Sequence, residues 1–264
     1  FASPDRAMLM PVHAYPFFRT AAQMANARLD TAAETDHTVD VDTILACVET
    51  ATALVCVANA GNPTGTHISK SELVRLRNNL RDDILLVIDE AYGEFADHMQ
   101  TPCWDMVQNT NTVVLRTLSK AYSMAGYRVG WGLFPDHIAT QVRKVMNPNN
   151  LTAPSQAAAQ AAVLDQAYMQ GTCAVTASIR EDATQALEQA GFDVVPSVTN
   201  FVLIAFDDEK AAMSADASLR AKGIFLRRQQ GAGLPNALRM TIGTAKATHT
   251  AITHLKNWKK GFIG

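Results

Sequence analysis

The chain has 264 residues, 48% of them hydrophobic and 18% charged, with a formal net charge of −2. That length suffices for one large domain, or for a large and a small domain sharing an interface, and the composition excludes a disordered or fibrous protein. The near-neutral balance argues against nucleic acid or an anionic membrane as partner, and no apolar run approaches the roughly 18 residues of a bilayer-spanning helix.

The chain opens at Phe1 and meets a strand-like run, Ala7–Val12, almost at once. It is therefore expected to begin inside a domain. Tyr15–Ala27 follows with Phe17, Phe18, Ala21, Ala22, Met24 and Ala25 near helical spacing. A helix over Val41–Glu49 leads into a buried strand, Ala53–Ala58. Ser69–Leu80 reads as a helix, with Ser69 as N-cap and Glu72 three residues on, a capping-box pattern. Ile84–Asp89, Thr112–Leu115 and Arg128–Phe134 are further strand-like runs. Runs apolar at every position suit strands covered on both faces, and their alternation with helices predicts an α/β domain with a mostly parallel sheet.

From about Asn147 the texture changes. Pro154–Ala167 is rich in Ala and Gln and predicts a long helix continuing towards Glu188. Strands follow at Phe192–Pro196, Asn200–Phe206, Ile224–Arg227 and Ala237–Ile242, with helices at Ala211–Lys222 and Ala247–Lys260. Residues 1–146 are thus assigned to a large domain and residues 147–264 to a smaller α+β domain. Cys47, Cys56, Cys103 and Cys173 form no C-x-x-C pair and stand at no zinc-ligand spacing from a histidine, so no metal site is expected. They read as buried thiols of a reducing compartment, and with no signal peptide in view a cytoplasmic protein is expected.

Four segments carry chemistry, each placed at or after a predicted strand, where ligands of open α/β sheets bind. Asn62-Pro63-Thr64-Gly65 is either a plain turn or a loop whose Asn amide donates to a ligand oxygen. Asp89-Glu90-Ala91-Tyr92 puts an acid at the end of an apolar strand, either as a helix cap or as partner to a protonated ring nitrogen. Thr117-Leu118-Ser119-Lys120 places a lysine ahead of the small or apolar Ala121, Met124, Ala125 and Gly126. Partial burial there would lower the amine's pKa and make it a nucleophile towards an aldehyde, whereas the plainer reading is an exposed lysine. Thr117, Ser119 and Arg128 offer hydroxyls and a guanidinium fork to a phosphate. In Leu238-Arg239-Met240-Thr241-Ile242-Gly243 an arginine interrupts a strand and needs an anion, either a structural carboxylate or a ligand.

Taken in order, these segments resemble the fold-type I pyridoxal-phosphate (PLP) enzymes, the class I and II aminotransferases, and among them most closely the histidinol-phosphate aminotransferases. The resemblance runs through Ala60–Gly65, Val87–Tyr92, Arg116–Gly130 and Leu238–Thr244 and covers nearly the whole chain. It implies the aspartate-aminotransferase fold, PLP as cofactor, an amino acid or amino-phosphate and a 2-oxo acid as substrates, and a homodimer. It further implies Lys120 as the Schiff-base lysine, Asp89 as partner of the pyridine nitrogen, and Asn62 with Tyr92 at the cofactor's 3′ oxygen. Tyr15 would stack on the ring, and Thr117, Ser119 and Arg128 would hold the phosphate. Arg239 would grip the substrate carboxylate, and Arg227, or its neighbour Arg228, the substrate's far anionic group.

The family also has chain ahead of this point, with an N-terminal arm and a Gly-rich segment opening a helix that binds the cofactor phosphate; the sequence contains no such segment. The N-terminal part of the family fold is thus expected to be missing. Beside a histidinol-phosphate:2-oxoglutarate transaminase, a decarboxylase of the threonine-phosphate type and an aromatic amino-acid transaminase keep the cofactor. A truncated, non-catalytic fragment is the reading from another class. A dinucleotide oxidoreductase is disfavoured by the lack of a glycine fingerprint.

Overall fold

In a computed structural model the residues described are 1–97, 102–108 and 110–263. In chain order the elements are β1 (Ala7–Pro11), α1 (Pro16–Met24), β2 (Leu29–Ala32), β3 (Glu34–Thr35), β4 (Thr38–Val39), α2 (Val41–Ala46), β5 (Thr52–Ala58), α3 (Lys70–Asn79), β6 (Leu85–Asp89), α4 (Gly93–Ala96), β7 (Thr112–Thr117) and β8 (Gly130–Leu133). They continue with α5 (Asp136–Val145), α6 (Ala153–Leu164), α7 (Gln166–Glu188), β9 (Asp193–Val195), β10 (Phe201–Ala205), α8 (Glu209–Arg220), β11 (Arg227–Gln229), β12 (Leu234–Thr241) and α9 (Ala245–Ile263).

The first sheet has six strands in the order β2-β1-β5-β6-β7-β8, all parallel except the β7–β8 pair. Successive side chains of its central strands serve opposite faces. Leu9, Val55, Val57, Leu86 and Ile88 pack under α2 and α3 with Ile44, Leu73 and Leu76, while Met8, Met10, Cys56 and Ala58 pack against Phe18 and Ala22 of α1. Both faces are covered, which is why these strands are apolar throughout. Register then aligns the strand ends: Ala58 lies opposite Asp89 and Asp89 opposite Leu115, so the loops after β5, β6 and β7 open on one edge.

The second sheet is antiparallel, in the order β11-β12-β10-β9. One of its faces buries Val202, Ile204, Leu238 and Met240 against Leu187 of α7, Leu219 of α8 and Leu255 of α9.

Several expected elements changed bounds. Arg128 is no strand residue: it ends a short 3-10 turn with φ 57°, and β8 begins at Gly130. The long helix is interrupted at Asp165, whose side chain leaves the α6 ladder to accept from Tyr168 N–H at 3.0 Å and cap α7. The strand expected over Ile224–Arg227 starts at Arg227, and the helix expected to reach Glu49 ends at Ala46. The edge strand β2 had no sequence expectation. At the start of α3, Ser69 Oγ accepts from Glu72 N–H at 3.3 Å as the capping pattern requires, while the Glu72 carboxylate accepts from Arg75.

Candidate active site

Three strand ends of the first sheet and the loops after them build the site. Tyr15, Asn62, Asp89, Tyr92, Thr117, Ser119, Lys120 and Arg128 line one cavity of about 340 Å³. A wider cleft of about 880 Å³ lies at the amino ends of β6 and β7, but its buried cation, Arg77, is already spent on the carbonyls of Leu80, Arg81, Ile84 and Asn111. The smaller cavity gathers the titratable and anion-binding groups that the sequence singles out.

Asp89 ends β6 with its carboxyl deep in the protein. Desolvation pushes its pKa above the ordinary value, against the pull of the Ala91 N–H (2.9 Å to Oδ1) and of the Lys120 charge. Among the described residues no salt bridge reaches it. A carboxylate so placed calls for a cationic partner supplied by a ligand.

Lys120 is half-buried, with Nζ 5.4 Å from the centre of the Tyr92 ring. Burial lowers the amine's pKa, and the nearby charges of Arg239 and Arg128 lower it further, while Asp89 opposes them. The amine therefore sheds its proton more readily than an ordinary lysine, as a nucleophile towards an aldehyde must. Tyr92 is 4% exposed, and its phenol is pushed up by burial and drawn down by Arg239.

The turn after β7 forms an anion cradle. Thr117 Oγ1 bonds Ser119 Oγ at 2.9 Å and accepts from Ser119 N–H at 3.1 Å. Arg128 folds back across the turn, its Nη1 donating to Ala125 O at 2.7 Å and reaching Ser119 Oγ at 3.5 Å. The left-handed backbone at Arg128 aims the guanidinium at the cavity rather than along β8. Tyr15, at the start of α1, is 40% exposed and lies edge-on to Phe18, leaving a ring free to cover a flat ligand.

The second sheet brings two arginines. Arg239 of β12 donates from Nη1 to Asn62 Oδ1 at 2.6 Å, while its buried Nε has no hydrogen-bond partner. Desolvation works against its charge, and so does Arg227, directly opposite it in the β11–β12 register. Arg227 thus shares the face of Arg239. Arg228 points the other way and donates to the buried Asp216 at 2.5 Å. The register separates two neighbours that the sequence left undecided.

One buried network beneath the cavity escaped sequence reading. Arg116, 3% exposed, pairs with Glu90 (2.8 Å), Glu94 (3.4 Å) and Asp97 (2.7 Å). Burial opposes its charge, but the Asp97 hydrogen bonds and the three carboxylates outweigh it and raise its pKa. Gly93 makes room, since a Cβ there would lie 2.6 Å from Arg116 Cζ. The network ties the loop after β6 to β7. Its one sequence signal was an arginine inside an otherwise apolar strand.

These groups fit PLP. Asp89 would suit a pyridinium nitrogen, Lys120 an aldehyde, Asn62 and Tyr92 a phenolic oxygen, and Thr117, Ser119 and Arg128 a phosphate. The unpartnered Nε of Arg239 leaves a donor for a substrate carboxylate.

The family model of class I and II aminotransferases matches residues 1–255. The chain is 39% identical over 262 residues to a histidinol-phosphate aminotransferase of Paramagnetospirillum magneticum, covering 98% of this chain and 72% of that protein. It is 42% identical over 242 residues to one of Rhodopseudomonas palustris, covering 90% and 66%. A crystal structure of histidinol-phosphate aminotransferase from Sinorhizobium meliloti in complex with pyridoxal-5′-phosphate superposes with a TM-score of 0.92 at 27% identity, covering 99% of this chain and 72% of that one. The chain belongs to the class I and II aminotransferases, and its fold is that of the aspartate-aminotransferase group, as the motif resemblance implied.

Proposed function

We propose that this chain is a PLP-dependent aminotransferase that moves the amino group of histidinol phosphate to 2-oxoglutarate, in histidine biosynthesis. The carrying observation is the convergence of Lys120, the uncompensated Asp89 carboxyl and the Arg128 cradle on one cavity, with the half-satisfied Arg239 at its side. The histidinol-phosphate aminotransferases among its relatives support the substrate. Arg227, on the same face as Arg239, adds a cation for an amino donor that bears a phosphate.

When bound, the cofactor supplies the electron sink for bond breaking at the substrate Cα. The rest falls to the chain. Asp89 would offer its negative charge to the ring nitrogen. Asn62 and Tyr92 would donate to the 3′ oxygen, and Tyr15 would cover the ring. Thr117, Ser119 and Arg128 would anchor the phosphate. In the glutamate half-reaction Arg239 would grip the substrate carboxylate, a group that histidinol phosphate lacks, and so decide which Cα bond is poised to break. Lys120 Nζ, as a free amine beside the bound substrate, would take the proton from Cα; its lowered pKa keeps it available as a base. The enzyme acts as a cytoplasmic homodimer. The dimer follows the family resemblance, and among the described residues no helix is long and apolar enough to cross a membrane.

The test is to load the protein with PLP, reduce with borohydride, digest and locate the pyridoxyl group by mass spectrometry, then assay glutamate formation from histidinol phosphate and 2-oxoglutarate. An adduct on Lys120 with glutamate production is expected. A folded protein without that adduct would overturn the cofactor site. Release of CO₂ in place of glutamate would make it a decarboxylase, and an adduct without turnover a non-catalytic fragment.

A further inference from the structure

Phe201 is the first residue of β10, 1% exposed and among the largest fully buried side chains. In the β10–β12 register it pairs with Thr241, and Leu203 pairs with Arg239. Phe201 and Arg239 are therefore diagonal neighbours on one sheet face, within reach of long and aromatic side chains. The Arg239 guanidinium lies 4.7 Å from the centre of the Phe201 ring. On its other side Phe201 meets the Tyr92 ring nearly perpendicular, at 5.2 Å and 87°. Tyr92 in turn carries Lys120 Nζ over its face at 5.4 Å.

The result is a continuous column of cation, ring, ring and cation, running from the second sheet to the lysine. We infer that Phe201 is the positioning residue that holds the Arg239 guanidinium and the Tyr92 ring in fixed relation, so that the grip on the substrate carboxylate is aligned with the cofactor contact. This rests on reading Arg239 as the carboxylate clamp. Among the described residues Arg239 has one side-chain hydrogen bond, to Asn62, and its Nε has none, so hydrogen bonding alone leaves the plane of the fork free to turn about that single contact. The ring face supplies the second constraint. An aromatic is needed because its negative face attracts the cation while its polarised outline packs perpendicular to Tyr92. An aliphatic side chain of similar bulk fills the space but offers the guanidinium no such face.

The test uses the PLP-loaded enzyme with Phe201→Leu, and with 3,4,5-trifluorophenylalanine at position 201, which keeps the shape and drains the ring face. Succinate, a carboxylate without an amino group, is titrated by calorimetry, and KM and kcat are measured for glutamate, the substrate that carries the carboxylate. Both variants should bind succinate about tenfold more weakly, equivalent to about 1.4 kcal/mol, with KM raised and kcat little changed. Should the leucine variant fail to fold, the fluorinated protein carries the test alone. Wild-type succinate affinity in the fluorinated protein would overturn the role of Phe201. A wild-type enzyme labelled at Lys120 that binds no succinate would instead overturn the clamp reading, and this inference with it.

Discussion

Replacing Arg239 with lysine keeps the positive charge and removes the fork. In the structure Nη1 is committed to Asn62 Oδ1 at 2.6 Å, and Nε is buried without a partner. A bound carboxylate satisfies Nε together with a terminal nitrogen, as a bidentate pair. Lysine offers a point charge and cannot make both contacts. The loss is at least one charge-assisted hydrogen bond, about 1.5–3 kcal/mol, or about 10- to 150-fold in kcat/KM. Most of it should fall on KM, because the carboxylate is held alike in ground and transition states. Part should fall on kcat, because a looser carboxylate lets the Cα bonds rotate out of alignment. The assay is the half-reaction with glutamate, the substrate that carries an α-carboxylate, followed by cofactor absorption over a range of glutamate concentrations. A variant that still forms the Lys120 adduct and keeps kcat/KM within about threefold, well under the loss of one such bond, would refute the clamp.

Arg227→Gln should raise KM for a phosphorylated donor by about tenfold, the scale of one charge-assisted bond, whereas Arg228→Gln should leave KM alone and lower stability, because Arg228 serves the buried Asp216; a raised KM in Arg228→Gln alone would reverse the assignment, and equal KM values would refute it. Arg116→Met removes the cation from Glu90 and Glu94, each 4% exposed, and should cost about 3–5 kcal/mol in urea unfolding. Gly93→Ala drives a methyl against the same guanidinium and should cost about 1–3 kcal/mol; an unchanged urea midpoint in both would remove the network's structural role. Lys120 loses its proton as pH rises through a value held below 10.5 by burial and by Arg239 and Arg128. The pH profile of pyridoxal addition to cofactor-free protein should therefore turn below 10.5, and Arg128→Gln, which removes a repelling charge, should move that turn upward; a downward move would contradict the electrostatics.

Much of this was legible along the chain. Central strands such as Leu85–Asp89 are buried on both faces, so every residue reports its environment. Asp89 ends such a strand, Asn62 and Lys120 sit in short loops just after others, and parallel pairing then brings these ends together. The edge strand β2 was missed because Leu29-Asp30-Thr31-Ala32 is mostly part-exposed and has one neighbour to satisfy. The break at Asp165 was missed because Pro154–Ala167 has helical composition on both sides of it, and the interruption is one side chain capping a new helix.

The chain by itself determined which residues could do chemistry and the order in which strands present them, because apolar runs and turn residues act locally. Tertiary structure alone decided which arginine shares a sheet face with Arg239, since an antiparallel register sends Arg227 and Arg228 to opposite sides. It also decided that Arg116 is a buried three-acid hub and that Phe201 joins Arg239 to Tyr92. Those contacts act through space: Arg239 and Asn62 meet at 2.6 Å across 177 positions of sequence, and only the packing of the second sheet against the loops of the first sets that distance.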